Sequence, residues 1–215
     1  MPLKVVTFAE YLTAGERSAG HWNAFKFIRA IKGMEFTGYA WVPVVGKKRK
    51  LTEATAHLAK KWFAEMAAAH LASRRGLPQP LGFVPIPSSR TTAGSSGSFT
   101  ALELALLLVK QYGRKSRLED VLRWSRPMAS AHRGSGERDP AALYPYLELT
   151  MSPSTSDLVM IDDVVTTGGH LQAAAGRLRA DGATVLGALC AGRTVWEPGA
   201  DAFAVQGVEY EDWEP

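Results

Sequence analysis

The chain has 215 residues, a formal net charge of +4, 46% hydrophobic and 21% charged residues, a balance that excludes a disordered or fibrous chain and fits a globular domain. No apolar run approaches the length of a membrane span, and the single cysteine, Cys190, excludes an internal disulfide and a cysteine-rich zinc site. The opening MPLKVVTFAEYL is unlike a secretory leader, so cytoplasm is the expected compartment. The mild basic excess favours anionic partners without choosing among them.

In chain order, HWNAFKFIRAIKG predicts a short helix closed by Gly33. EFTGYAWVPVV, residues 35–45, predicts a strand or irregular hairpin interrupted by Gly38 and Pro43. Lys47-Lys48-Arg49-Lys50 reads as a solvated turn. Nucleic-acid contact is the lesser reading, because no aromatic-rich platform accompanies the run in the sequence. LTEATAHLAKKWFAEMAAAHLASRRG predicts a helix with Leu58, Trp62, Met66 and Ala69 on one face and a stop at Gly76. LGFVPIPSSR is a short strand entering a Ser-containing turn. Thr100 and Glu103 have capping-box spacing ahead of ALELALLLVKQY, and LEDVLRW, 118–124, reads as one strand. Residues 125–140, nearly free of large apolar side chains, predict a long loop. The last third alternates strand DLVMI, helix GGHLQAAAGRLRADG and strand ATVLGALCAGRTV, a βαβ unit and hence a parallel sheet. DAFAVQG adds a short strand before the acidic end.

The densest chemistry is in LVMIDDVVTTGGH, 158–170. Asp162 and Asp163 are expected at the carboxyl end of a central parallel strand, where open α/β sheets bind ligands. Thr166, Thr167, Gly168 and Gly169 follow as the chain enters a helix, whose free N–H groups and partial positive charge favour an anion. Carboxylates accept from sugar hydroxyls and help hold a hydrated Mg²⁺. A ribose 5-phosphate fits both ends. Neither GxxxxGK[ST] nor GxGxxG occurs, so the NTPase P-loop and the dinucleotide fingerprint are both excluded.

VMIDDVVTTGGH resembles the signature of type I phosphoribosyltransferases that binds 5-phosphoribosyl 1-diphosphate (PRPP). The resemblance implies an α/β fold, a Rossmann-like parallel sheet flanked by helices, with a small hood from the N-terminal and C-terminal segments. One domain over 1–215 is expected, with its core at about 53–195 and its hood from about 1–52 and 196–215. Asp162 and Asp163 would hold the ribose hydroxyls and, indirectly, Mg²⁺ bound with PRPP. Thr166, Thr167, Gly168, Gly169 and His170 would surround the 5-phosphate, His170 standing where the family usually has Ser or Thr. Ser88, Ser89 and Arg90 in VPIPSSR resemble a diphosphate-binding turn. His132, Arg133 and Arg138 resemble the cationic groups of a catalytic loop.

The order of parts is similar to that of ComF-type phosphoribosyltransferase-like proteins. Those have a lysine-containing N-terminal segment (here FKFIRAIKG), a long helix, a VPVP-like strand, DDVxTTG and a strand resembling LCAGRTV. Their Cys-rich element is missing here, and the KKRK turn is extra. Hypoxanthine–guanine enzymes carry an Asp where Thr166 stands, which disfavours 6-oxopurines and leaves another nucleobase or an amine as nitrogen acceptor. Trp22, Phe25, Tyr39, Trp41 and Trp196 are the aromatics that could stack on a base. The expectation is a Mg²⁺-dependent phosphoribosyltransferase, possible as a homodimer and without a membrane. The second reading is a PRPP-sensing or nucleic-acid-associated protein that keeps the fold without turnover.

Overall fold

The computed structural model describes residues 2–95, 97–128 and 138–215. Its centre is a seven-stranded sheet. From one edge to the other run β11 (Gln206–Tyr210), β1 (Leu3–Thr7), β10 (Thr184–Val195), β9 (Asp157–Val165), β5 (Leu81–Pro85) and β6 (Ser116–Leu118). β2 (Glu10–Leu12) continues the line of β1 along the far end of β10. Only β11 runs antiparallel to its neighbour.

β9 and β10 are long apolar runs because both faces are covered, and alternate residues enter two separate cores. Val159, Ile161, Leu189 and Ala191 pack with Phe27, Phe63 and Leu104, under α1 (Ala19–Ile31), α2 (Leu58–Ser73) and α3 (Thr100–Tyr112). Leu158, Met160, Ala188 and Cys190 pack on the other face with Leu171, Leu178 and Trp124. There α5 (Gly169–Ala180) lies beside the short α4 (Pro140–Leu143). The chain crosses from β5 to β6 by α3 in one direction and from β9 to β10 by α5 in the other. The sheet therefore has its topological switch point between β5 and β9, and the crevice outside the strand ends opens there.

The N-terminal segment is tied in by Glu10. Its buried carboxylate accepts from the Gly199 amide at 2.8 Å, Gln206 Nε2 at 3.2 Å and Arg193 at 3.5 Å, and meets His21 Nε2 at 3.2 Å. Burial alone would raise its pKa, but these donors outweigh it and hold the carboxyl below its ordinary value.

Several local expectations shift. The KKRK run is not a loop but β4 (Lys47–Thr52), paired antiparallel with β3 (Tyr39–Val44). Its two-residue turn, Val45-Gly46, has φ of 45° and 76°, the twist that hairpins favour. Because Leu51 and Thr52 belong to that strand, the helix expected from Leu51 begins at Leu58. Its buried line is Ala59, Phe63 and Ala67 with Trp62 and Leu71, while Leu58 and Met66 only flank the core. The strand expected over 118–124 is two: β6 ends at Leu118, and β7 (Leu122–Trp124) pairs with β8 (Leu147–Leu149) outside the main sheet. Between them Glu119 is buried and accepts from the Ser154 amide and hydroxyl. No capping box forms at Thr100. Phe99 is the N-cap residue, and Glu103 accepts from Ser98 Oγ and pairs with Lys60. The last strand begins where DAFAVQG ends, because its pairing with β1 sets its position.

Candidate functional site

β9 runs on to Val165, so Asp162 and Asp163 lie inside the strand rather than after it. Its pairing with β5 nevertheless stops at Ile161, opposite Pro85, while β10 follows it to Val165. The two acids therefore stand where one neighbour has left, at the rim of the switch-point crevice.

Their surroundings differ. Asp162 Oδ1 accepts from the Asp163 amide at 2.8 Å, and Asp163 Oδ1 from the Val164 amide at 2.7 Å. Asp163 Oδ2 takes the ammonium of Lys32, the C-cap residue of α1, at 2.7 Å, with 14% and 21% of the two side chains exposed. Burial, then the charge of Asp163, pushes the Asp162 carboxyl well above the usual carboxylate range. For Lys32 burial acts downward, but the charges of Asp163 and Asp162 prevail and raise its pKa. Burial likewise raises Cys190, the strand partner of Asp162 on β10.

The turn after β9 needs its two glycines for different reasons. Gly168 has φ +82°, and a Cβ there would stand 2.6 Å from the Tyr210 ring of β11. Gly169 opens α5, and the backbone carbonyl of Arg138 lies where its Cβ would be. Both close approaches are of the kind only glycine permits. Thr166 and Thr167 are exposed, and Thr166 Oγ1 lies 3.0 Å from Thr194 Oγ1. The His170 ring meets Trp124 edge-on at 5.4 Å, and burial lowers its pKa, so it is held neutral. Trp124, fully buried, donates from Nε1 to the Pro87 carbonyl at 3.1 Å. One indole thus touches both turns of the crevice.

The second turn is the one after β5. Ser88 is exposed, with its hydroxyl 2.8 Å from Thr91 Oγ1. The Ser89 carbonyl accepts from the Met128 amide, and the Arg90 side chain is exposed. The end of β9 with the 166–168 turn that follows it, and the Ser88–Arg90 turn after β5, thus lie side by side at the carboxyl ends of the two strands. Arg138 reaches the glycine turn through its backbone. His132 and Arg133 lie outside the described residues.

Lys32, Tyr210, Trp124 and Thr194 belong to this neighbourhood without any signal in the motif. Lys32 lies 131 positions before Asp163, and no periodicity links residues at that distance. Among the described residues no three His, Cys, Asp or Glu side chains group as a metal cage. A cleft of about 750 Å³ lies beside the amino ends of β5 and β6, lined in part by Lys47, Arg49, Arg74 and Lys115. None of the motif residues lines it.

No family model and no curated protein matches the chain. Two crystal structures of a hypoxanthine phosphoribosyltransferase from Staphylococcus aureus are similar to it. The orthorhombic form is 14% identical with a TM-score of 0.38, covering 63% of this chain and 73% of the other. The tetragonal form is 13% identical with a TM-score of 0.40, covering 63% and 72%. What is shown for this chain is the class of its fold: a mixed α/β protein with a mainly parallel sheet flanked by helices.

Proposed function

We propose that the crevice binds PRPP and that the protein is a phosphoribosyltransferase. The observation that carries the reading is the placing of the motif. An acid pair inside a central strand is followed, five residues after Asp163, by a left-handed glycine that opens a helix, at the switch point of the sheet. The carboxylates face a need for hydroxyl acceptors, and the start of α5 a need for an anion. A sugar phosphate meets both.

In the reaction a nitrogen of the acceptor attacks C1 of the phosphoribosyl group, the C1–O bond to diphosphate breaks, and diphosphate leaves. Asp162 and Asp163 orient the ribose, the 166–170 turn holds the 5-phosphate, and Ser88, Ser89 and Arg90 meet the diphosphate. In this reading His132, Arg133 and Arg138 would supply cationic groups against the departing diphosphate. Catalysis is positioning plus stabilisation of the leaving charge. Asp162 and Asp163 would hold a hydrated Mg²⁺ only indirectly, since Asp163 already has Lys32 as counter-ion. When bound, that ion would neutralise charge on the departing diphosphate. The acceptor is a nucleobase other than a 6-oxopurine, or an amine, because Thr166 replaces the expected purine-facing acid. Kinship with ComF-type proteins is supported by the order of parts alone.

The test is diphosphate release from PRPP and Mg²⁺ across a panel of bases and amines. Release with one acceptor class, abolished in Asp163→Asn, supports transfer. PRPP binding without release for any acceptor would favour the sensing role instead.

A further inference from the structure

The KKRK run has no part in the crevice, and its structure gives it another use. In the β3–β4 hairpin Tyr39 pairs with Thr52, Trp41 with Lys50 and Pro43 with Lys48. Cross-strand partners share a face, so these six side chains lie together. The opposite face is the inner one: Ala40, Val42, Val44 and Leu51 on it are fully buried. Arg49, also on that face, pairs with Glu65 of α2 at 2.7 Å. The alternation of the strand thus divides the basic run. Lys47 and Arg49 go one way, Lys48 and Lys50 the other.

The outer face has no partner among the described residues, yet it carries large aromatics. Tyr39 is 51% exposed and Trp41 44%, their centroids 6.4 Å apart. The Lys50 ammonium lies 4.9 Å from the Tyr39 ring centroid. α1 extends the surface. Lys26 donates to the Tyr39 carbonyl at 3.0 Å, and Asn23 accepts from the Trp41 amide at 3.1 Å. One helical turn before Lys26 stands Trp22, 46% exposed, with the Arg17 guanidinium 4.8 Å from its ring centroid. None of the six outward hairpin positions is acidic.

The geometry points to a binding surface for single-stranded nucleic acid, with Trp41, Tyr39 and Trp22 as stacking groups and Lys48, Lys50 and Lys26 as phosphate contacts. Exposed aromatics interleaved with cations suit a strand whose bases are unpaired, because each base then offers a free face and each linkage a negative charge. A duplex hides its base faces, and an acidic peptide would use the lysines while leaving the rings without a role. The two surfaces are distinct in kind. The crevice is built from the ends of buried strands, the hairpin face from the exposed side of a separate sheet.

The experiment is fluorescence anisotropy with a short labelled oligothymidylate and the full chain. Binding should weaken about 5- to 150-fold in Trp41→Ala and be restored in Trp41→Phe, which keeps a stacking ring. Lys48→Gln/Lys50→Gln should reduce the slope of log affinity against log salt by about 1.4. All these side chains point outward, and a circular dichroism melt matching the parent shows that the hairpin persists. The proposal is overturned if the parent does not bind the oligonucleotide, or if Trp41→Ala binds like the parent. Tighter binding of a duplex, polyglutamate or anionic vesicles overturns it equally.

Discussion

Asp163 has a counter-ion supplied from the other end of the chain. Both it and Lys32 are mostly withdrawn from solvent, so removing either leaves an uncompensated charge, a larger penalty than losing a surface ion pair. Lys32→Met should destabilise the protein by about 1–3 kcal/mol, between the values typical of exposed and buried pairs. Adding Asp163→Asn should recover part of that loss, which a double-mutant cycle in urea would measure. Asp162 behaves in the opposite sense. Its carboxyl is pushed well up by burial and by the charge of Asp163, so the folded state disfavours its ionisation at neutral pH. Asp162→Asn keeps an oxygen for the Asp163 amide and should raise the thermal midpoint, not lower it. Gly168→Ala meets both a left-handed φ and the Tyr210 ring, and should cost at least about 1–3 kcal/mol by chemical denaturation. The two glycines were legible as a turn from sequence. What crowds them, Tyr210 and the Arg138 carbonyl, was not, because both come from distant segments.

At the scale of elements, the strand–helix–strand of the last third was the most legible part of the chain. Its period changes cleanly from buried runs to a helix and back, and Gly182 closes the helix. The basic strand was not legible. Four consecutive cations carry no alternation of polarity, and only the pairing with Tyr39–Val44 shows that they alternate in direction. The split of 118–124 was hidden for a related reason. Glu119 is an inward-facing acid whose partner, Ser154, lies 35 residues on. Trp124 joins two elements that sequence reading kept apart, the turn after β5 and the start of α5. Trp124→Ala should cost about 3–5 kcal/mol, as for other buried aromatics. Trp124→Phe should keep most of the packing and lose about 0.5–1.5 kcal/mol with its hydrogen bond to Pro87. Urea denaturation of the two variants separates packing from hydrogen bonding.

Across the whole molecule, the shifted groups set the pH range of stability. His70 and His170 are both held below their ordinary value of 6.5, His170 by burial and His70 by burial and then by Arg74. At these two histidines the unfolded chain takes up protons first, which lowers stability as pH falls below about 6.5. Asp162, whose carboxyl is held up, acts in the opposite sense. Glu10 and Glu103 are held below 4.5, so their contribution is present above that value and is lost as pH falls through their folded pKa. Thermal melts across this range should show a first decline, reduced in His170→Gln, and a second on the acid side. The overall class of the fold was readable from the order of strands and helices. The switch point was not, since it depends on which neighbour each strand chooses. That choice puts the acid pair beside the turn after β5, and the whole functional account depends on it. The most direct test is titration calorimetry of PRPP with Mg²⁺ into the intact protein and into Asp162→Asn/Asp163→Asn. The account predicts saturable binding to the parent and none to the double variant, with both folded by their melting curves. No binding to the parent, or equal binding to both, would contradict it.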